Sequence, residues 1–386
     1  MVVHAVAARD RKKAEAYAKK HRIPVVLDSY QAILDSPDID AVYIPLPNGL
    51  HFEWAVKALD KGKHVLLEKP YVSNAEEAAM LLAHSASLQK GPEGGGGKGK
   101  GGGPVILEAF HYRFQPAWLL FVSLLRPADI AHAEASMLIP DIFPPDDIRF
   151  RYDIAGGALM DLTYSLSVVR GILQTEPLEC TACETATMPE PYDTRCEYRY
   201  DASWAFPNGA TARTRGNLRT GWWESVRGLG DLARAKAVHK PTVVADDDNG
   251  SLAEKGEEKV VTRTVTMVNF LMAALWHRID VEDEFVVRKK DTGEVTRRWV
   301  VKESRKAYTF SETGIEGLRE RTSEPHWLTY KHQLDAFVDR VRGREGTGAW
   351  IDGEDSLRQM RMIDMAYGKA GLLLRGTSKF RTGAGE

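Results

Sequence analysis

The chain reads as an α/β protein in two parts: a parallel, doubly wound sheet first, then an α+β unit built on a large, mainly antiparallel sheet. Two observations carry this reading. Up to about residue 116, short apolar runs alternate with helical patterns at βαβ spacing. Beyond it, strand-like runs follow one another across turn signals with few helices between them. The length of 386 residues suits about two domains, placed at 1–116 and 117–386.

Taken in order, Val2 to Ala8 reads as a strand, and Arg9-Asp10 leads into a helix from Arg11 to His21. Asp10 is the expected N-cap, with Ala14, Tyr17 and Ala18 on the apolar face. Val25 to Leu27 and Asp40 to Pro45 read as strands, with a brief helix over Ala32 to Leu34 between them. Pro47-Asn48-Gly49 turns into a helix over Phe52 to Leu59, closed by Gly62. Next, Lys63 to Ser73 gives a β-prone run, His64 to Leu67, stopped by Glu68-Lys69-Pro70; Ser73 and Glu76 then form a capping box for an Ala/Leu-rich helix.

Lys90 to Pro104 is a Gly-rich insert. Its G-x-G-x-x-G match at Gly97, Gly99 and Gly102 follows a helix and precedes a strand, the reverse of what a dinucleotide fingerprint requires, so it reads as linker. Val105 to Phe110 is a strand ending at His111-Tyr112-Arg113, and a helix over Ala117 to Leu125 follows. Strands are then expected over 130–139, 178–187, 196–206, 210–217, 260–268, 285–289 and 295–301. A helix opening at Gly156-Gly157 runs to about Leu173, Ala245 to Lys259 is a solvated loop, and two helices, Trp327 to Arg342 and Glu354 to Ala370, close the chain.

Composition excludes little beyond the extremes. With 52 basic against 54 acidic residues there is no field to draw in nucleic acid or an anionic membrane. No apolar run approaches a membrane span and no signal peptide opens the chain, so an intracellular, cytoplasmic setting is expected. Three cysteines are too few for a disulfide framework. Cys180 and Cys183 form a lone C-x-x-C without a second pair or a His cluster, and read as strand cysteines rather than a zinc or redox centre.

Ligands of open α/β sheets sit outside the carboxyl ends of the strands, where Glu68-Lys69-Pro70 lies. Lys69 is therefore either a group that meets a substrate or one half of a structural ion pair with Glu68 or Asp161. Arg9 follows a strand and directly precedes the Asp10 cap. By themselves Tyr164 reads as a core-packing aromatic and Asp161 as an N-terminal helix acid that complements the dipole.

Glu68-Lys69-Pro70, Pro47-Asn48 with His51, the Gly156-Gly157 to Asp161 helix start, the string Glu108 to Phe114 and the large C-terminal sheet together resemble the Gfo/Idh/MocA oxidoreductases. The similarity is greatest to the branch holding dimeric dihydrodiol dehydrogenases and NADP-dependent D-xylose 1-dehydrogenases. It implies a Rossmann-type parallel sheet and a homodimer acting on a small sugar or polyol with NADP. It also implies catalytic roles for Lys69, Tyr164 and Asp161, with Ser165 where relatives carry His or Tyr. Arg9, Pro47, Asn48, His51, Glu68, Lys69 and Pro70 would contact the cofactor, and His111 and Arg113 the substrate. His51 also reads as a solvated helix residue, and Arg113 as a partner of a surface carboxylate. The family's first strand, Gly-rich turn and following helix are expected before Val2 and are not found there, which points to weak NADP binding by the chain as it stands. The competing expectation is a catalytically impaired homologue that binds sugar or regulates a partner.

Overall fold

The computed structural model describes residues 1–89, 102–221, 223, 233–244 and 256–380. Most of the Gly-rich insert and of the acidic loop after Val244 lies outside the described residues.

The N-terminal part forms two parallel sheets. Strands β1 (Ala5–Val6) and β2 (Val25–Val26) make one, and β3 (Ala41–Ile44), β4 (His64–Leu67) and β5 (Ile106–Glu108) make the other; no hydrogen bond joins the two among the described residues. Helices α1 (Arg11–His21), α2 (Tyr30–Asp35), α3 (His51–Asp60) and α4 (Ala75–Gln89) follow strands in turn. The Asp10 carboxylate accepts from Lys13 N at 3.2 Å, so α1 is capped as its sequence predicts. Ala14 and Ala18 are buried, but Tyr17 is 52% exposed and lies against His21, the rings tilted at 40°, instead of joining the core. Gly62, at φ +69°, ends α3 in the left-handed conformation. The cap of α4 is shifted by one residue from expectation. Asn74 Oδ1 accepts from Glu77 N and Glu77 reaches back to Ser73 N, both at 2.9 Å, so Asn74 and Glu77 replace Ser73 and Glu76.

Helix α5 (Pro116–Ser123) leads into β6 (Ile130–Pro140). The helix expected from Gly156 to Leu173 is two: α6 (Ala158–Asp161) and α7 (Tyr164–Leu173), broken at Leu162-Thr163. The remaining strands are β7 (Glu179–Thr187), β8 (Glu197–Ala205), β9 (Thr211–Thr220), β10 (Ala233–His239), β11 (Thr242–Val244), β12 (Glu257–Val268), β13 (Arg278–Lys289) and β14 (Val295–Arg305). With β6 they build one sheet in the order β14-β13-β12-β10-β6-β9-β8-β7, with β11 paired to β12. It is antiparallel except where β6 meets β9, a parallel pair at its centre.

Helix α7 packs on β6, β9 and β10. Their buried positions there are mostly alanines, Ala133, Ala135, Ala212, Ala233, Ala235 and Ala237, whose small side chains admit a helix closely while Val168, Val169 and Ile172 fill the layer. Far from this layer, β14 is exposed almost throughout, with Trp299 stacked on Phe285 at 5.1 Å.

Helices α8 (Thr329–Val341) and α9 (Gly353–Lys369) return the chain to its first half, α9 packing on α4 and β7. Beyond α9, Arg375 is sealed from solvent against Glu197 at 2.5 Å and donates to Gly156 O at 2.6 Å. Among the described residues no helix is long and apolar enough to cross a membrane, and no group of three His, Cys, Asp or Glu side chains could hold a metal ion.

Candidate active site

Strands β3, β4 and β5 run parallel, so their carboxyl ends open on one edge and deliver the loops after Ile44, Leu67 and Glu108 to the same place. On the middle strand the backbone turns at Glu68-Lys69-Pro70 through a cis Lys69-Pro70 peptide bond. The Lys69 ammonium donates to Asp161 twice, to its backbone carbonyl at 2.7 Å and to Oδ1 at 2.8 Å. Arg149 Nε reaches the other carboxylate oxygen at 3.2 Å and Arg149 also holds Asp147 at 3.0 Å. Burial alone would raise the Asp161 carboxyl, but the Lys69 and Arg149 charges outweigh it and keep it below the usual carboxylate range. Lys69 therefore belongs to the ion pair anticipated with Asp161. Glu68 is occupied elsewhere: it accepts from Tyr43 Oη at 2.5 Å and from Lys69 N at 3.2 Å.

The break after α6 decides where Tyr164 points. Its ring lies 5.2 Å from the Lys69 ammonium and its hydroxyl meets His111 Nε2 at 3.2 Å. Tyr164 is 4% exposed and His111 2%. Burial, with the Glu68 charge next in weight, raises the Tyr164 hydroxyl well above its ordinary value. Burial and the Lys69 charge push His111 down to about 3, so both stay neutral near pH 7. His111 stacks on Tyr330 of α8 at 4.1 Å, and its Nδ1 has no hydrogen-bond partner among the described residues.

The other candidates fall into three groups. Arg9 stands exposed immediately before the N-cap of α1. Pro47 and Asn48 begin the turn before α3, and the Asn48 amide donates to Ala155 O at 2.9 Å, which ties this loop to the segment leading to Gly156. His51 is neither solvated nor open to a ligand. It is fully buried, with one ring nitrogen 2.9 Å from Pro70 O and the other 2.8 Å from Leu46 O, and the neutral ring donates its single N–H to one of these two carbonyls. Burial pushes its pKa down to about 4.

Arg113 does not join Lys69. It pairs with Asp355, which also binds Arg170, and lines a separate cavity of about 390 Å³ with Trp118, Trp350 and Arg358. Arg149, Tyr43 and Tyr330 are site residues that the sequence reading missed. Only Tyr43 carried a local signal, an outward position on an otherwise buried strand; Arg149 and Tyr330 come from distant turns that no spacing connects to Lys69.

One of the three Lys69 donors is not spent on Asp161, while the exposed Arg9 follows β1 in the other parallel sheet.

Residues 2–90 match the family model for the GFO/IDH/MocA oxidoreductases, described as NAD-binding Rossmann fold. The chain is 37% identical over 223 residues to a D-xylose 1-dehydrogenase (NADP(+)) of Haloferax volcanii, an alignment covering 56% of this chain and 62% of that one. It is 30% identical over 163 residues to a trans-1,2-dihydrobenzene-1,2-diol dehydrogenase of Xenopus laevis, covering 42% and 44%. The chain thus spans between two fifths and two thirds of the length of these curated relatives. A solved 3-ketoreductase from Actinomadura kijaniata, in complex with NADP, shares the fold with a TM-score of 0.62 at 21% identity, over 95% of this chain and 89% of that one. The matched segment contains β4 and the Glu68-Lys69-Pro70 turn, so this first part of the chain is similar to the Gfo/Idh/MocA oxidoreductases.

Proposed function

We propose that the protein is a cytoplasmic NADP-dependent dehydrogenase that oxidises a CH–OH group of an aldose or cyclic polyol, of the D-xylose 1-dehydrogenase or dihydrodiol dehydrogenase type. The observation that carries the reading is the Lys69 ammonium held on two atoms of Asp161 beside a buried, neutral tyrosine. When bound, the cofactor supplies the hydride acceptor; what remains for the chain is to place a hydroxyl and manage its proton. Two of the three Lys69 donors are used by Asp161, so the third is left for a substrate oxygen. Tyr164, held protonated by burial, offers a second hydroxyl to the same oxygen, with His111 behind it as its hydrogen-bond partner. Asp161 and Arg149 fix where the ammonium sits. The exposed guanidinium of Arg9 favours the 2′-phosphate of NADP over the bare ribose of NAD. The reading includes a second copy of the chain, paired through the open face of the large sheet.

The test is sugar-dependent formation of NADPH, followed by its absorbance across pentoses, hexoses and trans-dihydrodiols. Lys69→Ala is expected to lower kcat by about 10²–10⁴-fold, the usual contribution of a positioned acid or base, and Tyr164→Phe by less. Turnover that survives Lys69→Ala unchanged would sink the proposal. Sugar binding without turnover would select the impaired, sugar-binding homologue instead.

A further inference from the structure

On a regular strand, residues three apart point to opposite faces. Cys180 and Cys183 do not. Cys180 lies opposite Trp204 and Cys183 opposite Ala202, with Thr181 as the extra residue of a bulge. Trp204 and Ala202 are two apart on β8 and share a face, so the bulge brings both thiols to the same side of β7. There the two thiols interact with each other, and the Cys180 thiol donates to Ala182 O at 3.2 Å. Two residues of strand span about 6.6 Å, at the long end of the roughly 4.4–6.8 Å between Cα atoms that a disulfide bridges. β7 is also the last strand of its sheet, hydrogen-bonded on one side only, so it has freedom to pucker.

We propose that Cys180 and Cys183 form a site of reversible oxidation, converted by a peroxide into a disulfide within β7. The Cys180 thiolate attacks one peroxide oxygen; the O–O bond breaks, leaving a sulfenic acid on Cys180 and releasing hydroxide. The Cys183 sulfur then attacks the Cys180 sulfur. The S–S bond forms, the S–O bond breaks, and the departing oxygen and the hydroxide leave as two waters, taking up the Cys183 proton and the proton Cys180 had released. The dithiol is oxidised by two electrons and the peroxide reduced by two.

The division of roles follows from the contact. The interaction with Cys183, aided by the Lys369 charge, lowers the Cys180 thiol against the opposing effect of burial, while the same interaction raises Cys183. Cys180 is 6% exposed, so the oxidant reaches it from the side of the half-buried Cys183, beside the exposed Thr181 and Ala182. Cys196 provides an internal control: it is fully buried and its thiol is pushed up to about 12, chiefly by burial.

The experiment exposes the full folded chain to hydrogen peroxide, blocks remaining thiols with N-ethylmaleimide and reads the cysteine peptides by mass spectrometry. The expected result is a peptide carrying Cys180 and Cys183 that has lost two hydrogens, escapes alkylation and regains both thiols with dithiothreitol, while Cys196 stays reduced. In Cys183→Ala, dimedone should trap a sulfenic acid on Cys180. Should wild-type protein show both thiols alkylated after peroxide, accumulate sulfinic acid without a bridge, or link either cysteine to Cys196, the proposal is overturned. The wild-type result decides even if the variant fails to fold.

Discussion

Glu108 ends β5 beside Leu67 and is 1% exposed. Among the described residues neither carboxyl oxygen finds a hydrogen-bond partner of regular geometry, although the Ser356 hydroxyl and the Tyr71 amide lie close. Burial pushes its pKa up to about 8 from an ordinary 4.5. The folded chain therefore keeps a proton that the unfolded chain releases between those values, and the associated stability is lost as pH rises through about 8. His51 and His111 act in the opposite sense. With folded values near 4 and 3, they bind fewer protons than the unfolded chain, so their contribution is present above about 6.5 and is lost as pH falls. Melting temperatures measured from pH 5 to 9 should peak between these limits, and Glu108→Gln should flatten the alkaline fall while matching wild type near pH 5. A wild-type alkaline fall that persists in the variant would remove Glu108 as its cause. Among single residues, Lys69 was legible because a β-prone run stopped by proline announces a strand end. Its true setting was not, since Asp161 lies 92 residues away and Arg149 has no local pattern of its own. His51 misled for the opposite reason: a helix-start histidine looks solvated until the loop that buries it is known.

At the scale of elements, the short helix α6 is held from behind. The Glu197 carboxylate accepts from Leu159 N at 2.9 Å and from Tyr367 Oη at 2.9 Å while it pairs with Arg375, and Arg375 grips Gly156 O. Gly157, at φ +126°, passes so near that an added Cβ would collide with the Arg375 guanidinium and the Glu197 carboxylate. Since α6 ends at Asp161, this anchor also fixes the seat of the Lys69 ammonium. Arg375→Ala leaves Glu197 buried without its charge partner and should cost about 3–5 kcal/mol, read by urea unfolding. Gly157→Ala, which adds both backbone strain and a clash, should destabilise the chain and lower turnover together. A Gly157→Ala protein with native stability would show that the anchor yields without cost. The Gly-Gly pair advertised a tight helix start in the sequence, but not the break at Leu162-Thr163 that turns Tyr164 toward Lys69. Strand β10 went unread because its alternating Ala, Arg, Lys and Val lacks the β-branched and aromatic enrichment of its neighbours.

For the molecule as a whole, βαβ spacing and then repeated hairpins gave away the two kinds of sheet, since periodicity records which faces are buried. The parallel contact between β6 and β9 was hidden, because strand order depends on packing between segments far apart in the chain. That order leaves β14 at one margin, exposed along nearly all its length and carrying Arg297, Arg298, Lys302 and Arg305 beside Val295, Val300 and Val301. Unsatisfied amides and carbonyls on such a border invite a neighbouring molecule to zip on, and charged side chains along it, three of them paired with Glu284, Glu282 and Glu303, oppose that neighbour's approach by demanding solvent. Exchanging Arg297, Arg298 and Lys302 for threonine should leave the fold intact yet make light scattering climb with protein concentration and with time. The cations on this outermost ribbon would then be guardians of colloidal behaviour, set apart from both the chemistry at Lys69 and the packing of the core.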